Sequence, residues 1–191
     1  GDVAMSAGWE SFVAYSKGII SLNKCENVGN INIDSSSRSY GSRIISGGII
    51  GYTKSEENLS FCYNSGDIII LQGGTYGSRS GFVYAGGING LSEGKAVILQ
   101  CENAGRIHSM NGLGGDNYIG GIEGKGISDI AQSNNTGSVY SSGYIGNFAN
   151  SPDFKVGGIY GYSYGKSINC YNNGNIIKLN ANGTISSYGL G

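Results

Sequence analysis

The sequence predicts an all-β protein, a right-handed parallel β-helix (β-solenoid) of about five coils with three short strands in each coil. The first observation is a repeat, because an Asn-x-Gly-x-(Ile/Val) element occurs five times in 191 residues. The second is a Gly-Gly-Ile-x-Gly element that precedes four of these copies in constant order. The third is the absence of a sustained 3.6-residue period, since the segments between the glycines are short and β-rich. Repeats of roughly 20 to 50 residues are typical of stacked or radial architectures.

Both elements recur at similar spacings along the chain. The glycines of the first element are Gly29, Gly66, Gly105, Gly137 and Gly174. The glycine pairs of the second element begin at Gly47, Gly86, Gly120 and Gly157. We therefore interpret 1–191 as a single β-solenoid domain, an excised segment of a longer repeat protein. Its repeats cover about 12–33, 45–70, 84–109, 118–141 and 155–178.

Three apolar segments in each repeat define the expected strands, as in 48–52, 59–62 and 67–71 of the second repeat. Each strand pairs with its counterpart one coil away, about 4.8 Å distant. The right-handed sense rests only on the general preference of β crossovers. A β-propeller is the alternative, but its blades need four strands.

Stacking of this kind places identical residues in columns. We expect a column of inward-facing cysteines, an asparagine column whose amides bond to the turn backbone and to each other, and an apolar spine. We also expect a positive φ at the glycine that follows each asparagine. The cysteine column contains Cys25, Cys62, Cys101 and Cys170, with Ser133 in the fourth copy. The asparagine column contains Asn27, Asn64, Asn103, Asn135 and Asn172. The apolar spine contains Ile31, Ile68, Ile107, Val139 and Ile176.

Composition excludes several classes of protein. Glycine contributes 36 residues without a three-residue period, which excludes collagen. With 39% hydrophobic and 13% charged residues, a disordered chain is not expected. The net charge is −1 and the basic residues are scattered, so we expect no nucleic-acid partner. No apolar run reaches the roughly 18 residues that span a bilayer, so we expect no membrane insertion.

Four cysteines and one histidine raise the question of a metal site or disulfides. Zinc sites draw on local cysteine pairs, and the cysteine spacings here are much longer. Stacked cysteines also hold their sulfurs in poor geometry for a disulfide. We therefore predict small buried thiols in the reduced form, with no metal and no cofactor.

Gly48-Ile49-Ile50-Gly51 followed by Cys62-Tyr63-Asn64-Ser65-Gly66 resembles the GLUG repeat. A second good copy pairs 158–161 with 170–174. GLUG repeats occur in bacterial surface proteins and in non-catalytic regions of immunoglobulin A protease-type metallopeptidases. The resemblance implies an extracellular protein at the bacterial cell surface, with an adhesive or spacer function and further repeats or domains at both ends. It transfers no catalytic residue.

Insertions of variable length precede each glycine pair, and a stack would project them from one side. Their Ser, Gly, Asn and Tyr content is similar to that of an antibody paratope, although polar loops also arise simply because they face water. The insertions are 35–43, 73–80, 110–117 and 142–153. The candidate binding tyrosines are Tyr40, Tyr76, Tyr118 and Tyr144, with Tyr118 at the rim.

No catalytic motif is present, and we interpret the thirteen acidic residues as solvated surface groups. Glu26 and Glu102 share a repeat position but would lie two coils apart, which is too far for a retaining glycosidase pair. The favoured function is therefore non-enzymatic, a rigid stalk or adhesin module whose loop face contacts a host protein or glycan. One alternative is a fragment of a β-helical polysaccharide lyase or hydrolase. The other is the accessory repeat region of a large surface metallopeptidase.

Overall fold

The computed structural model describes residues 3–6, 19–35, 43–72, 81–111, 115–143 and 153–179. The described chain contains strands and turns but no helix, and every strand pairing in it is parallel. Each strand pairs with the strand at the same repeat position in the neighbouring coil. The fold is a parallel β-helix, as predicted. The propeller alternative is excluded because its blades are antiparallel.

Each coil passes through four sheets, which we number in the order that the chain visits them. Sheet 1 contains β5 (Arg43–Gly47), β10 (Phe82–Gly86), β14 (Asn117–Gly120) and β18 (Phe154–Gly157). Sheet 2 contains β2 (Ile20–Asn23), β6 (Ile50–Thr53), β7 (Glu57–Ser60), β11 (Asn89–Leu99), β15 (Glu123–Ala131), β19 (Tyr160–Ser163) and β20 (Ser167–Ile168). Sheet 3 contains β3 (Glu26–Asn27), β8 (Tyr63–Asn64), β12 (Glu102–Asn103), β16 (Asn134–Asn135) and β21 (Tyr171–Asn172). Sheet 4 contains β1 (Val3–Ser6), β4 (Ile31–Asp34), β9 (Ile68–Gln72), β13 (Ile107–Asn111), β17 (Val139–Gly143) and β22 (Ile176–Leu179).

The described coils at 43–72, 81–111, 115–143 and 153–179 each contribute to all four sheets, whereas three strands were predicted for each coil. The predicted strands 48–52 and 59–62 correspond to β6 and β7 of sheet 2, and 67–71 corresponds to β9 of sheet 4, so the prediction lacked sheets 1 and 3. The apolar spine is confirmed, since Ile31, Ile68, Ile107, Val139 and Ile176 are in direct register in sheet 4.

Two apolar clusters fill the inside of the coils. One lies between sheets 1 and 4 and contains the buried spine residues with Ile44, Val83 and Ile119. The other lies between the Gly-Gly-Ile turn and sheets 2 and 3, where Ile88, Ile98 and Cys101 are at most 1% exposed. Each coil therefore buries its inward side chains against the coils on either side of it.

The repeated glycines are required by close contacts. A Cβ on Gly66 would meet the carbonyl oxygen of Gly29 one coil away, and Gly105, Gly137 and Gly174 repeat this contact. The expected positive φ at these glycines is wrong, because none of the four has a φ in that range. Left-handed backbone occurs instead at the residue before each cysteine-column position, with φ between 50° and 56°. These residues are Lys24, Phe61, Gln100, Gln132 and Asn169.

The Gly-Gly-Ile-x-Gly element precedes the asparagine element at a similar spacing in each repeat because the two elements pack against each other. A Cβ on Gly48 would meet the side chain of Asn64, and Gly87, Gly121 and Gly158 repeat this relation with the next three asparagines. The last glycine of the element lets sheet 2 approach sheet 1, since a Cβ on Gly124 would meet the backbone of Ala85. Both elements are parts of one packing unit.

Candidate functional site

The predicted asparagine and cysteine residues lie in two stacked columns. The Nδ2 of each asparagine from Asn27 to Asn135 donates to the Oδ1 of the next, always at 2.7 Å. Each Nδ2 also donates to the carbonyl oxygen of the glycine two residues on, at 2.8–2.9 Å. Beside this column, the amide of Cys62 donates to Cys101 Sγ at 3.4 Å. The four cysteines are free thiols, and burial raises the pKa of Cys101 to about 12.

Tyr118 lies in a layer of side chains between the outer face of sheet 1 and the first strands of sheet 2. Because side chains alternate along a strand, Val83 and Ala85 enter the core while Tyr84 faces the other way. The sheet 1 column is Ile45, Tyr84, Tyr118 and Lys155, in register. The sheet 2 column that faces it is Tyr52, Leu91, Lys125 and Tyr162, also in register. We call these eight residues the aromatic layer.

Aromatic rings stack along this layer from coil to coil. The ring centroids of Tyr84 and Tyr118 are 5.5 Å apart, and those of Tyr118 and Tyr162 are 5.3 Å apart. Tyr84 and Tyr118 are 6% and 5% exposed, so both rings are buried, whereas Tyr164 at the edge is 72% exposed. Tyr162 Oη donates to Tyr164 Oη at 2.7 Å, which ties the exposed ring to the layer.

Lysine and arginine cations lie over the rings of the aromatic layer. Lys125 Nζ is 5.1 Å from the ring centroid of Tyr84 and 5.0 Å from that of Tyr118. Lys155 Nζ is 3.9 Å from the centroid of Tyr162, and the guanidinium of Arg43 is 5.2 Å from that of Tyr84. Cations at such distances are attracted by the negative faces of the rings. The layer therefore holds positive charge without matching each cation to a carboxylate.

Two carboxylates border the layer. Glu93 receives a hydrogen bond from Tyr52 Oη at 2.8 Å and pairs with Arg43 at 3.5 Å and Lys54 at 3.8 Å. Asp153 receives one from Tyr118 Oη and pairs with Lys155, both at 2.9 Å. Burial raises the pKa of Tyr118, and its hydrogen bond to Asp153 raises it further. Burial also opposes ionisation of Asp153, but hydrogen bonds from Lys155 and Tyr118 lower its pKa below the ordinary value. At neutral pH the tyrosine is therefore a neutral donor to an anion.

A cleft of about 190 Å³ opens beside the aromatic layer. Its inner wall contains the buried Leu91 and Ser92, and its outer wall contains Ile127 and Tyr164, which are exposed. Arg43, Glu93 and Lys125 place charged groups at its border. The arrangement combines an apolar wall, an exposed aromatic ring and both signs of charge, which are the features of a small-ligand site.

Two acidic residues lie inside the coils, so the prediction that all acidic residues are solvated is wrong for Glu57 and Glu123. They are 1% and 0% exposed. Asn89 Nδ2 lies between them and donates to Glu57 Oε1 at 2.6 Å and to Glu123 Oε1 at 3.2 Å. Burial raises the pKa of Glu57 to about 8, with a further contribution from the charge of Glu123. Burial raises the pKa of Glu123 to about 7 against hydrogen bonds from Ser128 and Asn89 that lower it.

The other predicted residues are placed as follows. Tyr40, Tyr76 and Tyr144 lie outside the described residues. Tyr63 lies between Glu26 and Glu102 in sheet 3, as expected from their repeat positions. Sequence reasoning missed Tyr84, although it stands two residues before a glycine pair, as Tyr118 does.

Within the described ranges, no group of three or more His, Cys, Asp or Glu side chains could hold a metal ion. The same residues include no helix long and apolar enough to cross a membrane. The chain matches no protein-family model, no curated protein and no solved structure.

Proposed function

We propose that this chain is a non-enzymatic structural and adhesive module of a bacterial cell-surface protein, a rigid stalk that binds a host glycan or protein. The observation that supports a stalk is the unbroken side-chain amide column through sheet 3, which adds a second hydrogen-bonded column to the parallel strand pairing. Such columns occur in very stable stacked-strand assemblies. The observation that supports adhesion is the charged and aromatic cleft on the outside of the coils.

The binding part of this proposal is tested with a glycan array and a panel of immobilised host proteins. The four insertions are shortened within 36–42, 73–80, 112–114 and 144–152 in a matched variant, which keeps Arg43 and Asp153, and circular dichroism checks that the stack is retained. We expect selective binding by the parent chain. Failure to bind any glycan or protein would contradict the adhesive function. Unchanged binding after shortening would exclude the predicted loop face and leave the cleft as the site.

One observation favours a second candidate, a polysaccharide-cleaving enzyme. Glu93 lies within 4 Å of two cations and accepts a hydrogen bond from Tyr52 at the border of a cleft. A carboxylate close to basic groups in a groove can act as an acid or base in glycan cleavage. Incubating the chain with neutral and acidic polysaccharides, followed by assays for new reducing ends and for unsaturated products, separates the two functions. Turnover that is lost in Glu93→Gln would establish the enzyme and refute the binding module.

A further inference from the structure

The cleft beside the aromatic layer carries an excess of positive charge. Among the described residues that line it, Arg43 and Lys125 carry positive charge and Glu93 carries the one negative charge. The whole chain has a net charge of −1, so this excess is a local feature. A concave, positively charged surface attracts anionic ligands.

Lys125 is the cation available to a ligand. Within the part of the chain that the structure describes, it has no carboxylate within ion-pair distance. Its ammonium group is held over the rings of Tyr84 and Tyr118, and the residue borders the cleft. An ammonium group fixed in this way can bind an anion without first breaking an internal ion pair.

The walls of the cleft fit a flat ring with one apolar face. Tyr164 and Ile127 are 72% and 45% exposed, although both are large and apolar. Glu93 supplies a carboxylate that can accept hydrogen bonds from hydroxyl groups. The volume of about 190 Å³ is below the roughly 300 to 1,000 Å³ of sites for drug-sized molecules. A single sugar ring fits, and a protein partner would need a far larger surface of about 800 Å².

We propose that this cleft binds one carboxylate-bearing pyranose residue of an acidic glycan. Lys125 binds the sugar carboxylate, the ring of Tyr164 covers the C–H face, and Glu93, paired with Arg43, accepts hydrogen bonds from the hydroxyl groups. This inference rests on the proposed adhesive function and specifies its ligand class. Uronic and sialic acids share the required chemistry.

The test measures surface plasmon resonance on the immobilised 191-residue chain. The probes are oligogalacturonate, its methyl ester, a sialyl-oligosaccharide, a neutral galacto-oligosaccharide, a sulfated glucan and serum albumin. We expect binding of oligogalacturonate or of the sialyl-oligosaccharide, and the stronger of the two identifies the source of the carboxylate. The methyl ester keeps the ring but removes the charge, so it should bind at least about tenfold more weakly.

Protein variants locate the binding. Lys125→Gln and Tyr164→Ala should each weaken it by about tenfold, and Lys125→Arg should restore most of it because the charge remains. Lys24→Gln is the matched control, since Lys24 is exposed and two other coils have glutamine at the same left-handed position. Melting temperatures of the variants separate a lost contact from a lost fold.

Several outcomes would overturn the inference. Equal binding of the methyl ester would remove the role of the carboxylate. Equal binding of the sulfated glucan, unchanged in Tyr164→Ala, would indicate attraction of any polyanion. Binding only of albumin or of the neutral sugar would overturn the acidic-glycan site but leave adhesion intact, whereas binding of no probe here and of nothing on the wider array would refute both.

Discussion

Raising the pH should weaken this fold through a carboxyl group buried inside the coils. Glu57 is 1% exposed, and its pKa is raised from 4.5 to about 8 by burial and by the charge of Glu123. A carboxyl group whose pKa is higher in the folded than in the unfolded state favours folding at low pH. Its contribution is complete below about pH 4.5 and is lost as the pH rises through about 8.

The size of the effect follows from the shift. Each pKa unit corresponds to about 1.4 kcal/mol, so the shift of Glu57 corresponds to about 5 kcal/mol. Glu123, with a pKa of about 7, loses its contribution over an overlapping and slightly lower range. The two carboxyl groups repel each other when ionised, so we take about 5 kcal/mol, from Glu57 alone, as the lower limit for the pair. Domains are commonly stable by only about 5 to 15 kcal/mol, so the loss should be easy to detect.

The measurement is urea denaturation of the full chain at about pH 5 and about pH 9, monitored by circular dichroism. Glu57→Gln keeps the shape of the side chain and the oxygen that accepts from Asn89, but it cannot ionise. Between the two pH values, the free energy of unfolding of this variant should therefore fall by several kcal/mol less than that of the parent chain. Glu56→Gln is the control, because Glu56 is adjacent and exposed. If the parent and both variants lose the same stability between the two pH values, Glu57 does not carry a buried proton and the reasoning fails.

Three further predictions concern the columns. Asn103→Ala removes a buried rung and takes one of two acceptors from the preceding asparagine amide, so we expect a loss of about 2 to 4 kcal/mol in urea denaturation. Asn58→Ala, at an exposed asparagine outside the column, should lose less than about 1 kcal/mol. Gly66→Ala places a Cβ against a carbonyl oxygen of the previous coil and should cost at least about 3 kcal/mol or prevent soluble expression, which a solubility assay and a thermal melt would reveal. Iodoacetamide at about pH 8 should label Cys170 in the folded chain, whereas Cys101 should react only after denaturation because it is 1% exposed and has a raised pKa. The label on each cysteine is read by mass spectrometry of the peptides, and labelling of Cys101 before Cys170 would contradict a buried cysteine column.

The stack itself could be predicted because a parallel coil places each repeat position next to its own copies. A side chain that suits such a column, such as Asn64 with its donor and acceptor on one amide, is useful in every coil and therefore recurs. The serine of the fourth copy follows the same chemistry. Ser133 Oγ accepts from the amide of Cys101 at 3.1 Å, as Cys101 Sγ accepts from the amide of Cys62. The column requires a small acceptor, and both residue types supply it.

Sheet 1 could not be predicted from periodicity, because its strands are covered on both faces. In Arg43–Gly47, Ile44 packs into the core between sheets 1 and 4, and Ile45 packs into the aromatic layer. A strand buried on both sides lacks the alternation of polar and apolar residues that identifies a half-exposed strand. The two-residue strands of sheet 3 are too short to give any period, so they were not predicted as strands, although the repeat placed their asparagines in one column.

The burial of Glu57 and Glu123 was harder to predict because other coils have different residues at the same repeat positions. Asn89 and Glu123 occupy the register position of Ile50, an inward-facing core position, which was the available signal that Glu123 is buried. Glu57 gives a weaker signal, since its own column contains Ile20 and Ala96.

The residue columns also indicate where on this fold a ligand site can lie. A column that only stabilises the stack can use one residue type throughout, whereas a ligand site needs different groups at neighbouring positions. The sheet 2 column of the aromatic layer contains Tyr52, Leu91, Lys125 and Tyr162, so four successive coils present a phenol, an alkyl group, an ammonium group and a second phenol about 4.8 Å apart. Variation of this kind does nothing for the pairing of the strands, because the backbone bonds are the same for every side chain. It gives the adjoining cleft a chemistry that a uniform column would lack, and that cleft is where binding of a specific ligand should be sought.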